Sequence, residues 1–88
     1  MEREVELTVI VPTYNERDNI PILLERIDKA LSSHGIRYEV IIVDDNSPDG
    51  TADVAEKLSS KYPVRVLRRP GKLGLSSAVL DGIKLAKS

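Results

Sequence analysis

No cysteine, tryptophan or phenylalanine occurs in these 88 residues, and three tyrosines are the whole aromatic content. Without cysteine there is no disulfide framework and no thiolate metal site, and a reducing cytosol is the default compartment. The 13 Lys and Arg are balanced by 14 Asp and Glu, for a net charge of −1, which gives no reason to invoke a phosphodiester backbone. These absences argue against nucleic acid as a partner. The apolar runs are short against the roughly 20 residues that a membrane-crossing helix needs. The opening Glu2-Arg3-Glu4 is not a signal peptide. The single histidine, His34, stands beside Gly35 and reads as a helix-end residue, not a ligand.

What is present is an alternation of two hydrophobic periods, without internal repeat, linker or low-complexity segment, which fits one small domain over residues 1–88. Leu7-Thr8-Val9-Ile10-Val11 reads as a first strand that Pro12 stops. A polar loop follows, then Asn19 as N-cap and Pro21 in a first helical turn. Ile20, Leu23, Leu24, Ile27 and Leu31 recur at helical spacing, and Gly35 suits the left-handed position after the helix. Residues 38–43 are a second strand, apolar at nearly every position and so buried on both faces. A second helix is expected over 51–62, with Ala55, Leu58 and Tyr62 inward and Pro63 as its end. A third strand over 64–67 leads through the basic loop 68–74 into a third helix over 75–87, with Leu75, Ala78, Val79, Ile83 and Ala86 inward. Strand and helix alternate three times. The expected fold class is therefore α/β, with three parallel strands alternating with three helices in right-handed crossovers, a Rossmann-like half.

In such a sheet the loops after all three strands lie at one edge, where ligands bind. The second strand ends abruptly in Asp44-Asp45-Asn46-Ser47-Pro48-Asp49-Gly50-Thr51. One helix cap needs only one acid. Asp49 is read as that cap, and Asp44 and Asp45 as functional. Tyr14 is suited to pack on a flat ring, and a carboxylate to accept from a base edge or ribose hydroxyls. Arg68, Arg69 and Lys72 suit phosphate, although Arg68 and Arg69 read equally well as a solvated strand end. Glu16 has the simpler reading of favouring the following helix through its dipole. Gly71 and Gly74 match neither a dinucleotide fingerprint nor a P-loop.

Three segments together resemble a known family: Val9-Ile10-Val11-Pro12-Thr13-Tyr14-Asn15-Glu16, Ile42-Val43-Asp44-Asp45-Asn46-Ser47-Pro48-Asp49-Gly50-Thr51, and Gly71-Lys72-Leu73-Gly74-Leu75-Ser76-Ser77-Ala78. They are similar to the dolichyl-phosphate mannosyltransferases, inverting glycosyltransferases with the GT-A fold. The first segment marks the broad family. The second, joined to the third, marks the polyprenyl-phosphate subgroup. The resemblance implies transfer of mannose from GDP-mannose to dolichyl or another polyprenyl phosphate, at the cytosolic face of a membrane. It implies that Pro12, Tyr14 and Glu16 line the base and ribose, that Asp45 hydrogen-bonds the base with Val43 beside it, that Asp44 supports the ribose or the loop, and that Lys72 lies near the diphosphate.

The family also carries an Asp-X-Asp motif after a fourth strand, which binds Mg²⁺ or Mn²⁺. No such motif occurs in these residues, so metal ligands and catalytic residues are expected beyond Ser88, in a longer enzyme. The resemblance implies that the first strand is internal in the family, so in this chain its edge is expected to lack a partner and the chain to self-associate as a dimer. The alternatives are a polyprenyl-phosphate enzyme using UDP-glucose or another sugar nucleotide, and a non-catalytic nucleotide-binding fragment. A receiver-type signalling domain also pairs acids after an apolar strand, but after its first strand. Here the first strand ends in Pro12-Thr13-Tyr14, without the needed acid.

Overall fold

The computed structural model describes residues 5–70 and 75–86. The chain runs through β1 (Leu7–Thr13), α1 (Ile20–Ser32), β2 (Tyr38–Asp44), α2 (Thr51–Lys57), β3 (Val64–Arg68) and α3 (Leu75–Leu85). The strands form one parallel sheet in the order β1-β2-β3, as the alternation predicts. All seven residues of β2 are buried. Its alternate side chains enter two separate cores. Val40 and Ile42 pack with Ile20, Leu24, Ala55 and Tyr62 from the α1 and α2 side, while Ile41 and Val43 pack with Ala78 of α3. That double covering is why β2 is apolar throughout and not alternating.

The element ends depart from expectation in instructive ways. β1 continues past Pro12 to Thr13, with Pro12 opposite Val43 and Thr13 opposite Asp44. Among the described residues β1 is an edge strand, where a residue without an N–H need not break the ladder. Asn19 occupies the N-cap of α1 without a side-chain cap bond; its Nδ2 instead donates to Glu16 Oε2 at 2.7 Å. At the other end Gly35 has φ +69°, Ile36 N–H reaches the Leu31 carbonyl at 3.0 Å and Gly35 N–H the Ser32 carbonyl at 3.0 Å. This is the Schellman closure expected from that glycine. The helix expected over 51–62 is divided into α2 and a 3-10 turn over Leu58–Ser60.

The largest correction concerns α3. Ala78 is buried and Val79 half-buried, but Ile83 is 55% exposed, not inward. The contact row is Ala78, Gly82 and Ala86, spaced four apart on one helix face. Gly82 is buried against β1 so closely that a Cβ there would stand 2.6 Å from Ile10 Cγ2. Ile83, the next residue along, is turned off that row. The far end of α3 is held by Arg65, whose Nη2 donates to the Leu85 carbonyl at 2.7 Å and to the buried Glu39 Oε1 at 2.7 Å. Thr8 Oγ1 donates to the other Glu39 oxygen at 2.9 Å, so this pair links all three strands.

The close approach at Gly82 makes a prediction. Alanine gains about 1 kcal/mol of helix propensity over glycine, but overpacking costs about 1–3 kcal/mol. Gly82→Ala is expected to lower unfolding stability by about 1 kcal/mol net in a urea titration. Combining it with Ile10→Ala is expected to give less than the sum of the two losses, because the side chains share one contact. Strict additivity would count against the packing described.

Candidate functional site

The pleat of β2 decides the separate fates of its two terminal acids. Successive strand residues point to opposite faces. Asp44 shares parity with Val40 and Ile42 and turns toward the α1 and α2 side. Asp45 shares parity with Ile41 and Val43 and turns toward α3. Both are buried, at 1% and 8% exposure. A buried carboxylate must find donors, and each finds a different set.

Asp44 is satisfied by hydroxyls and an amide. Its Oδ1 accepts from Thr13 Oγ1 at 2.9 Å and Ser47 Oγ at 2.6 Å, and its Oδ2 accepts from Ser47 N–H at 2.9 Å. Ser47 Oγ in turn accepts the Asn15 N–H at 2.9 Å. A parallel relay runs one residue on, where Glu16 N–H donates to Thr51 Oγ1 at 2.9 Å and that hydroxyl donates to Asp49 Oδ1. Arg17 N–H then reaches Asp49 Oδ2 at 3.3 Å. Three consecutive amides of the first loop are thus held by Ser47, Thr51 and Asp49 of the second. Asn15 and Asn46 both sit at φ +56°, a conformation asparagine tolerates better than most residues. Asp49 is not the N-cap expected of it: that position is Gly50, at φ +88° and without a side-chain cap bond. Asp49, one residue earlier, accepts the Thr51 N–H at 3.0 Å in an Asx turn that leads into α2. Its pKa is held below the ordinary 3.8, first by the Thr51 hydroxyl and further by the amides of Arg17 and Thr51.

Asp45 is satisfied by a cation. Arg69 Nε donates to Oδ1 at 2.6 Å and Nη2 to Oδ2 at 2.9 Å, a two-bond fork. Arg69 Nη1 also donates to Ser77 Oγ at 2.6 Å and Asp81 Oδ2 at 3.1 Å, both on α3. Arg69 is only 5% exposed, so neither phosphate capture nor a solvated strand end describes it. Arg68 does remain at the surface, half-exposed and paired with Glu56 at 2.9 Å and Asp53 at 2.7 Å. The hydrogen bonds to those acids raise its pKa, Glu56 contributing most.

The three loops anticipated at the sheet edge therefore meet. Asp45 N–H donates to the Thr13 carbonyl at 3.2 Å and Arg69 N–H to the Asp44 carbonyl at 2.8 Å, extending the ladder past the strand ends. Pro12 is half-buried beside buried Val43, Tyr14 is 40% exposed, and Glu16 is half-buried. Lys72 lies outside the described residues, as do Gly71 and Gly74. Ser47, Thr51, Ser77 and Asp81 were not anticipated as participants. Hydroxyls two and six positions after the acidic pair's second member were the available signal for the first two. Among the described residues no cluster of three or more His, Cys, Asp or Glu is placed to hold a metal ion. Asp44 and Asp45 are committed to hydroxyl and guanidinium donors, so these residues do not fit a divalent cation.

Comparison with known proteins follows the same outline. The model of glycosyl transferase family 2 matches residues 8–88. A dolichol-phosphate mannosyltransferase of Pyrococcus furiosus is 55% identical over 82 residues, which are 93% of this chain and 23% of that protein. A polyprenol monophosphomannose synthase of Mycolicibacterium smegmatis is 42% identical over 76 residues, 84% of this chain and 27% of its own length. Among solved structures, a mannosyltransferase from Pyrobaculum calidifontis in complex with GDP-Man and Mn²⁺ superposes with a TM-score of 0.77 at 28% identity, over 96% of this chain and 25% of that one. The chain thus spans about a quarter of the length of these relatives.

The lowered Asp49 pKa fixes the sign of a pH effect. A carboxylate depressed in the folded state contributes its stability above the unfolded pKa, near 3.8, and loses it as pH falls through the folded value. The difference in urea midpoint between the natural chain and Asp49→Asn is expected to be present at pH 7 and to shrink below pH 3.8. A difference that is constant across that range would remove Asp49 from the clamp.

Proposed function

The chain belongs to glycosyl transferase family 2, and on that premise we propose that it is the amino-terminal nucleotide-binding part of a glycosyltransferase catalytic domain that transfers mannose from GDP-mannose to dolichyl or another polyprenyl phosphate. The observation that carries the reading is that the loops bearing Tyr14, Glu16 and Asp45 are hydrogen-bonded to one another at the carboxyl edge of one parallel sheet, in a chain 55% identical to a dolichol-phosphate mannosyltransferase. Tyr14 offers an exposed ring for the base, and Asp45 an acceptor for a base N–H. Glu16, on the clamped first loop, is suited to ribose hydroxyls, with Pro12 and Val43 as the apolar floor. The resemblance assigns Lys72, which lies outside the described residues, to the diphosphate. Asp44 does its work indirectly, by fixing the loop that carries Tyr14 and Glu16.

A phosphate acceptor is already anionic at neutral pH, so the reaction needs little base catalysis. The contribution of this chain is to bind and orient the donor. Mg²⁺ or Mn²⁺, which would neutralise charge on the departing diphosphate, belongs on this proposal to residues of the longer enzyme, whose acceptor half works at the cytosolic face of a membrane. No helix among the described residues is long and apolar enough to cross a bilayer.

The 88-residue chain is expected to bind GDP weakly, with a dissociation constant on the order of millimolar, and to transfer no mannose. An NMR titration with GDP is expected to shift the amides of Tyr14, Asp45 and Lys72, and Asp45→Ala to weaken binding by about tenfold. Shifts confined to other residues would refute the assignment, as would clear turnover with GDP-mannose, Mg²⁺ and a polyprenyl phosphate. A parallel UDP titration separates the two sugar-nucleotide readings.

We further propose that the chain pairs as a two-fold dimer. Among the described residues β1 has a neighbour on one side only, its Val9, Ile10 and Val11 carry no edge-protecting charge, and Leu80 and Ile83 of α3 are 59% and 55% exposed. Sedimentation equilibrium is expected to give a dimer that Val9→Lys or Ile83→Glu dissociates with secondary structure retained. A stable monomer at high concentration would refute it.

A further inference from the structure

We propose that Arg69 is a positioning residue for nucleobase recognition: it sets the orientation of the Asp45 carboxylate and ties that orientation to α3, acting on the nucleotide through Asp45 without touching it. The inference rests on the reading of Asp45 as a base acceptor.

The Arg69 side chain is 3% exposed, against 10% for that of Asp45. Of the two side chains, that of Asp45 keeps the larger exposed fraction. A fork with both nitrogens in use, at 2.6 and 2.9 Å, fixes the plane of a carboxylate as well as its place. Such a fork takes two of the roughly four acceptor sites that a carboxylate offers. Arg69 is itself over-determined. Its backbone N–H is bonded to Asp44 at 2.8 Å, which sets the root of the side chain by the end of β2. Its Nη1 is held by Ser77 and Asp81 at 2.6 and 3.1 Å, which sets the tip by α3. A lysine keeps the charge at this position but is a point donor without a planar fork. A buried ion pair is in general a poor way to gain stability over an apolar pair of similar size. Its geometry here serves to present one acceptor group at a fixed angle.

The test is a double-mutant cycle read in GDP affinity by NMR titration of the 88-residue chain, with folding verified from the same spectra. Arg69→Lys is expected to weaken GDP binding about fivefold, and the isosteric Asp45→Asn at least as much. In the Asp45→Asn background, Arg69→Lys is expected to add less than about twofold, since the group it acts through is already altered. Additive losses, or an unchanged affinity in Arg69→Lys, would overturn the inference. Where Arg69→Lys does not fold, Asp81→Asn takes its place. It removes an outer partner of Arg69 at a partly exposed position, and is expected to weaken GDP about twofold only while Asp45 is intact; an equal loss with Asp45→Asn would overturn the inference. If Asp45→Asn alone leaves GDP affinity unchanged, the base-acceptor reading falls and this inference with it. A loss in Asp45→Asn with additive behaviour overturns the positioning role alone.

Discussion

A strand buried along its whole length cannot end in two carboxylates unless the rest of the structure supplies their donors. Most of what surrounds the end of β2 follows from that requirement. Asp44 draws in Thr13 of the neighbouring strand and Ser47 of its own loop, and Asp45 draws in Arg69 from beyond β3. Among the described residues no buried side-chain polar atom lacks a partner. The satisfaction of these two groups is the same set of bonds that joins the three loops.

The consequence is a site whose irregular backbone is tied across two loops by side-chain hydrogen bonds. The amides of the first loop at residues 15–17 are held by the side chains of Ser47, Thr51 and Asp49. A loop held by its neighbour in this way loses less freedom when a ligand arrives, which is the physical content of preorganisation. The same logic separates the adjacent acids by partner. Asp44, turned into the α1 and α2 side, bonds the hydroxyls that hold the loop. Asp45, turned toward α3, is held by a guanidinium.

Much of the fold was legible in the chain alone. The stripe from Ile20 to Leu31, the unbroken apolar run of β2 and the glycine after α1 each have one physical reading, and the structure bears each out. The reading of Ile83 as inward failed because an apolar stripe identifies a helix face only to within a residue. What selects the contact row is the partner surface, and β1 comes close enough at Ile10 that only glycine fits. Pro12 was read as a stop, yet the strand continues through it, because whether a missing N–H breaks a ladder depends on which side the neighbour lies.

Local chemistry therefore determined the order of elements, the parallel sheet and the edge at which Tyr14, Glu16, Asp44 and Asp45 gather, since period, turn residues and crossover handedness are properties of short stretches. The pairing of Asp45 with Arg69, 24 residues away, was decided only by tertiary structure. The register that sets Asp44 opposite Arg68 places the next residues, Asp45 and Arg69, on one face, and α3 then folds over them with Ser77 and Asp81. No local pattern encodes a register between strands joined by a helix, because that register depends on how both faces of the sheet pack.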